Sequence, residues 1–135
     1  GSSSALPGSS SSGGGSAALR VGQWRGLSPL RMEEGDFHAL CYLHAGCARQ
    51  WIGAPQRNAH LVELVAAQAF PHHGSGCRHL LHRRGRLLAP QTLATNGVQL
   101  CSLVQHHGEF VVVFPRAYHF GFDYGVNCSE AINFT

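Results

Sequence analysis

GEFVVVFPRAYHFGFDYGVNCSEAINF, Gly108 to Phe134, is the stretch whose reading decides the fold. An apolar strand, EFVVVF at 109–114, runs into Pro115, and Tyr118 and His119 follow just before a glycine-rich hairpin and a last strand near Ser129–Phe134. A histidine placed just past a buried strand sits where the mouth of a β-barrel would hold a ligand or an acid/base group. The plainer alternative is a hydrogen-bonded structural histidine.

Upstream, VQLCSLVQ at 98–105 reads as another strand, joined to 109–114 by a turn at His106-His107-Gly108. FHALCYLH at 37–44 alternates, with Phe37, Ala39, Cys41 and Leu43 on one side and His38, Leu40, Tyr42 and His44 on the other, until Gly46 ends it. A short strand follows at Arg49–Gly53, where Arg49 and Trp51 share a face. Pro55 opens a helix over Gln56–Phe70 with an apolar stripe of Leu61, Leu64, Val65 and Gln68/Ala69, and Pro71 closes it. CRHLLHRR, Cys77 to Arg84, predicts one or two helical turns, and Pro90 begins a short helix capped by Asn96-Gly97. Between Arg20 and Arg31, Gly22, Gly26 and Pro29 interrupt any period, giving a lead-in loop or a short edge strand. Strands with inserted helices and a strand-rich C-terminal half predict a mainly β protein, a barrel or jelly roll with peripheral helices.

A chain of 135 residues, 44% hydrophobic and 13% charged, fits one domain. Residues 1–18, mostly serine and glycine, form a flexible linker outside it. No stretch approaches the roughly 20 apolar residues of a membrane helix, and the N-terminus lacks the layout of a secretory signal. All ten basic residues are arginine, and ten histidines hold charge in reserve near pH 6. A formal charge of +3 is too weak to imply nucleic acid, and the Arg78–Arg86 cluster reads as a solvated face. The five cysteines, Cys41, Cys47, Cys77, Cys101 and Cys128, are scattered without a CxxC pair, which argues for a reducing intracellular compartment. Cys77, His79 and His82 lack a fourth donor at a standard zinc spacing. With Met32 the only methionine and glycine at position 1, the chain reads as a fragment or processed product.

The 108–134 stretch resembles the C-terminal signature of the Jumonji-C (JmjC) histone lysine demethylases. Matches continue upstream in YLHAG at 42–46, Arg49-Gln-Trp51 with Ala54-Pro55, LLH at 80–82, Ala89-Pro90 and Leu103-Val-Gln105. The LLH spacing is more similar to the JARID-type and plant JARID-like proteins than to the tandem-Tudor type. The resemblance implies a double-stranded β-helix, the cupin-like jelly roll, over residues 19–135 as a partial JmjC domain. It also implies Fe(II) held by two histidines and a carboxylate, 2-oxoglutarate as cosubstrate, and hydroxylation of an N-methyl-lysine with loss of formaldehyde. A methylated histone tail as substrate, chromatin corepressors as partners and a nuclear location follow from the same likeness, with no membrane role and no direct nucleic-acid contact.

Carried onto this chain, the resemblance assigns His119 as the distal histidine and Glu33 as the carboxylate, while the first histidine's position is Arg31. A permanently protonated guanidinium has no lone pair for iron and can instead pair with Glu33, so iron binding is expected to be impaired. His38, five residues beyond Glu33, would need a bend to substitute. Arg49 takes the place of a lysine that pairs with 2-oxoglutarate, Cys41 that of an asparagine beside it, and Trp51 matches an aromatic at that pocket. Asp123 and Ala131 fall at the substrate side. If the iron site is lost, the same resemblance leaves a non-catalytic module that binds chromatin or histone tails.

Overall fold

The computed structural model describes residues 16–70 and 87–135. Among these residues eight strands form two four-stranded sheets in which every pairing is antiparallel. They are β1 (Ala18–Gly22), β2 (Leu27–Arg31), β3 (His38–Gly46), β4 (Arg49–Ala54), β5 (Cys101–Gln105), β6 (Phe110–Val113), β7 (Tyr118–Asp123) and β8 (Asn127–Phe134). One sheet has the order β1-β8-β3-β6 and the other β2-β7-β4-β5, so the chain passes repeatedly from sheet to sheet. This is the jelly-roll arrangement the strand pattern predicts, with helices only at its margin.

Alternation decides what each strand contributes. Ala39, Cys41 and Leu43 of β3 turn inward, and the first two join Trp51, Val111 and Val113 in a core between the sheets. Phe37 lies outside the strand and is exposed. The strand stops at Gly46, whose φ of +96° suits glycine and whose missing Cβ leaves room for the Val126 carbonyl. In β7 both faces are covered. Tyr118 and Phe120 join the core that also holds Val62, Val65 and Ala66, while His119 and Asp123 take the intervening, opposite positions.

The helix covering that second core, α1, spans Ala59–Ala69 after a single 3-10 turn at Gln56–Asn58. Its buried residues are Val62, Val65 and Ala66, whereas Leu64 of the expected stripe is 45% exposed and Leu61 is partly buried. Small Val and Ala side chains at the centre of the face let the helix lie close to the sheet, and the bulkier leucines flank it. A second helix, α2 (Pro90–Thr95), starts on proline as expected and drives Leu93 into the same core. Among the described residues no helix is long and apolar enough to cross a membrane.

The N-terminal side sharpens the expectation. Of the lead-in loop or short edge strand expected over Arg20–Arg31 the second holds, as two edge strands, β1 and β2, and β1 starts at Ala18, the last residue given to the linker. Residues 1–15, the helical turns expected in CRHLLHRR, the Arg78–Arg86 cluster and Cys77, His79 and His82 lie outside the described residues.

Candidate metal and ligand site

The two sheets enclose a cavity of about 400 Å³. The strand register sets its lining: Arg20 comes from β1, Ser28 and Arg31 from β2, Ala39 and Cys41 from β3, Trp51 from β4, His119 from β7, and Ser129 and Ala131 from β8. Glu33 enters from the segment after β2. Five lining residues, Glu33, His119, Cys41, Trp51 and Ala131, are ones the sequence singles out, and Arg31 stands among them.

Arg31 and His119 are direct partners in the β2–β7 ladder, and Glu33 lies two residues on. His119 is 6% exposed. Its Nδ1 stands 3.1 Å from the Ala117 carbonyl, which can only accept, so Nδ1 carries the hydrogen. The other ring nitrogen, Nε2, faces Glu33 Oε1 at 3.4 Å. Adjacent donors on one first-row metal ion stand about 3 Å apart, so this pair is spaced like two ligands of one ion. Arg31 Nη2 reaches the same Oε1 at 3.4 Å, and Asn133 Nδ2 donates to Oε2 at 3.3 Å. These neighbours hold the Glu33 carboxyl below its ordinary pKa, the His119 hydrogen bond first and the Arg31 charge next, against the opposing effect of burial.

Fe(II) does not fit this donor set. Among the described residues no group of three His, Cys, Asp or Glu side chains converges as a metal site, and the group that reaches Glu33 beside His119 is the Arg31 guanidinium. His38 supplies no replacement. It precedes inward-facing Ala39, so it points to the outer face of β3, where its ring stacks on Phe134 at 5.2 Å and meets Phe114 edge-on at 5.6 Å.

The family resemblance puts Arg49 at the cosubstrate and Asp123 at the substrate, yet neither is among the described residues lining the cavity. They meet each other instead. Arg49 Nη1 donates to Asp123 Oδ1 at 3.0 Å with the two side chains 3% and 1% exposed. Asn127 Nδ2 donates to the same oxygen at 3.0 Å, and Arg49 Nη2 donates to Ser28 Oγ at 2.5 Å. The physical reason is charge balance: each of these ions needs a counter-charge once it is removed from water. Burial depresses the Arg49 guanidinium pKa, the nearby charge of Arg20 adding to it and Asp123 opposing. Arg49 also lies over Trp51, 4.7 Å from the ring centroid, and the Trp51 indole donates to Gln105 Oε1 at 2.8 Å. Gln105, fully buried at the end of β5, donates in turn to the Cys41 carbonyl in β3 and to the Glu109 carbonyl just before β6, tying the three strands behind the cavity.

Sequence reasoning missed Arg20, Ser28, Ser129 and Asn133. Arg20 had a signal: ALRVG alternates, but with the arginine inward and Leu19 and Val21 outward at 71% and 73% exposure. A strand whose inner face is charged announces a lined cavity, provided its partner strand is known.

An antiparallel double-stranded β-helix that brings a carboxylate and a histidine together within its barrel defines the class of cupin-like jelly-roll folds. Comparison with known proteins narrows this: the JmjC profile, described as "JmjC domain, hydroxylase", matches residues 18–134. The chain belongs to the JmjC family. It is 37% identical over 116 residues to Lysine-specific demethylase 4D of Rattus norvegicus, covering 86% of this chain and 23% of the relative. It is 37% identical over 122 residues to Lysine-specific demethylase JMJ705 of Oryza sativa subsp. japonica, covering 85% and 9%. With Lysine-specific demethylase 4B of Mus musculus it shares 33% over 116 residues, covering 86% and 11%. The chain thus spans less than a quarter of the length of these curated relatives.

Proposed function

We propose that this chain is a JmjC-type histone lysine demethylase domain in which Fe(II)- and 2-oxoglutarate-dependent oxidation of N-methyl-lysine is impaired. The observation that carries this reading is the Arg31 guanidinium on Glu33, at the corner where a third ligand would stand. In the family the metal with 2-oxoglutarate supplies the oxidation. Here Glu33 and His119 offer only two donors to it, and a fixed positive charge beside them opposes a cation. Arg49 is already neutralised by Asp123, so it contributes no open two-pronged edge to a cosubstrate carboxylate. The domain's partner is a methylated histone tail, and its setting is nuclear chromatin; both proposals rest on the demethylase relatives. With oxidation impaired, the barrel acts as a non-catalytic histone- or corepressor-binding module, a second reading favoured by the same Arg31 contact.

Titrating Fe(II) anaerobically into the protein, with formaldehyde release measured on methylated histone peptides, tests the impairment. No stoichiometric binding and no formaldehyde are expected. Arg31→His completes a His-x-Glu pair on the β2 end and should raise metal affinity by more than about 100-fold, since even outer contacts of a metal site are worth 10–100-fold. One tight Fe(II) equivalent with turnover in the unsubstituted chain overturns the reading.

A further inference from the structure

We propose that a second cavity, walled by β4, β5 and β6, binds a small neutral ring compound of hydrocarbon character. Neither Arg31 nor Glu33 lines this space, so such binding is independent of the impaired oxidation proposed above.

The cavity measures about 210 Å³. Its walls are β4 with Pro55 and Gln56, residues 101–103 of β5, residues 111–114 on and just past β6, and residues 117–119 at the start of β7. It shares only Trp51, Val113 and His119 with the larger cavity, and the residues of β1, β2, β3 and β8 that surround Glu33 take no part in it. Because β5 and β6 are the outer strands of their sheets, the space lies where the two sheets part. Exposed Leu103, Val112 and Phe114 are among its lining residues, so it opens to solvent through an apolar rim.

The polar groups of the wall are engaged elsewhere. The Trp51 indole donates to Gln105 Oε1, and the Tyr118 hydroxyl donates to Glu63 Oε1 at 3.1 Å. His119 Nδ1 donates to the Ala117 carbonyl and Cys101 Sγ to the Gly53 carbonyl at 3.3 Å. Gln56 and Ser102 are exposed. Among the described residues no Asp, Glu, Lys or Arg lines the space. A charged solute entering it would give up water and gain no counter-charge, whereas a neutral apolar one gives up nothing it needs.

Gly53 points to an occupant. Glycine weakens the interior of a strand, and β4 pairs with β5 and β7 without a register shift there. At Gly121 the close Gln50 carbonyl demands glycine, but a Cβ on Gly53 would meet only Cys101 Sγ at 3.5 Å and the Tyr118 carbonyl oxygen at 3.7 Å, and its φ is not left-handed. Neither packing nor backbone conformation calls for glycine here. Residue 53 shares the inward face of β4 with Trp51, so the missing side chain widens the cavity itself. Such a glycine marks a place where a ligand comes close to the backbone. Size narrows the class: a dry apolar cavity of about 150 Å³ takes up benzene. The space of about 210 Å³ therefore suits a ring with roughly two further carbons, such as ethylbenzene.

Ethylbenzene is the probe, titrated into the full chain and followed by amide NMR, with phenethylammonium as the charged comparison. Saturable shifts at Ile52, Gly53, Ser102 and Leu103 are expected with ethylbenzene and none there with the ammonium compound. Gly53→Ala, Gly53→Val and Gly53→Leu fill the wall by increasing amounts and should weaken binding in that order. The leucine variant should lose about tenfold or more, the scale of an overpacked site. The alanine variant, whose Cβ fits without a close contact, keeps the series decisive where a larger side chain prevents folding. Shifts that do not saturate, shifts confined to Tyr42 and Phe110 on the outer face, equal binding of phenethylammonium, or Gly53 variants that bind like the parent each overturn the proposal.

Discussion

At the scale of single residues, the most consequential pair is Arg49 with Asp123. Two ions 3% and 1% exposed are held together at 3.0 Å, with Arg49 Nε and Asp123 Oδ2 lacking hydrogen-bond partners among the described residues. A buried ion stripped of its partner costs about 3–5 kcal/mol, whereas replacing both by apolar groups is often neutral. Arg49→Met should therefore lower the urea-unfolding free energy by about that amount. Arg49→Met with Asp123→Leu should recover most of it, the recovery limited by Asn127 and Ser28, which lose their contacts. Equal losses in the single and double variants would show that the charges do not interact. Glu33 gives a pH signature. Its folded pKa lies below the ordinary 4.5, so its contribution to stability is present above that value and is lost as pH falls through the depressed folded value. Thermal-unfolding midpoints followed downward from pH 5 should fall less steeply in Glu33→Gln than in the parent. Identical slopes would remove Glu33 from the acid response.

At the scale of elements, close approach of backbones explains what composition alone does not. Gly121 of β7 lies opposite Trp51 of β4, and a Cβ there would collide with the Gln50 carbonyl oxygen. Gly121→Ala must push the two strands apart, at a cost of about 1–3 kcal/mol for an overpacked site. Gly53 on the same sheet is the control, because an added Cβ would meet Cys101 Sγ at an ordinary 3.5 Å. Guanidinium unfolding of the two variants side by side should show a clear loss for position 121 and a change within about 0.5 kcal/mol for position 53. The same elements show where sequence reading reaches its limit. In β3, Ala39, Cys41 and Leu43 alternate with their neighbours as burial does, and the strand is legible on its own. In β1 the inward residue is Arg20, and in β2 Pro29 sits mid-strand, so both are defined by distant partners, β8 and β7, that no local window contains. For α1 the register slipped because Ala66, small and undemanding in any hydrophobicity count, occupies the centre of the buried face. The site divides likewise: Glu33 and His119 were singled out through the family resemblance and not through any local spacing, and the capture of Arg49 by Asp123 joins residues 74 apart in the chain.

At the scale of the whole molecule, the apolar side chains of one outer face stay uncovered among the described residues. Phe110, Val112 and Phe114, on and just past the edge strand β6, are 62%, 45% and 64% exposed. Beside them Tyr42 packs its ring 4.4 Å from Phe110, and His38 bridges Phe114 to Phe134 on β8, so the apolar surface continues across β3. A contiguous patch of this kind seldom stays open to water, and an edge strand adds a row of backbone donors and acceptors that a second chain can pair with. Sedimentation velocity of the 135-residue chain should accordingly show association that grows with concentration. Val112→Lys together with Phe114→Lys places two charges on the β6 edge, outside both core clusters, and should return the chain to monomer at the same concentrations without lowering its unfolding midpoint. A parent chain that sediments as monomer throughout would mean that the face is screened by its own curvature and that β6 offers no usable edge.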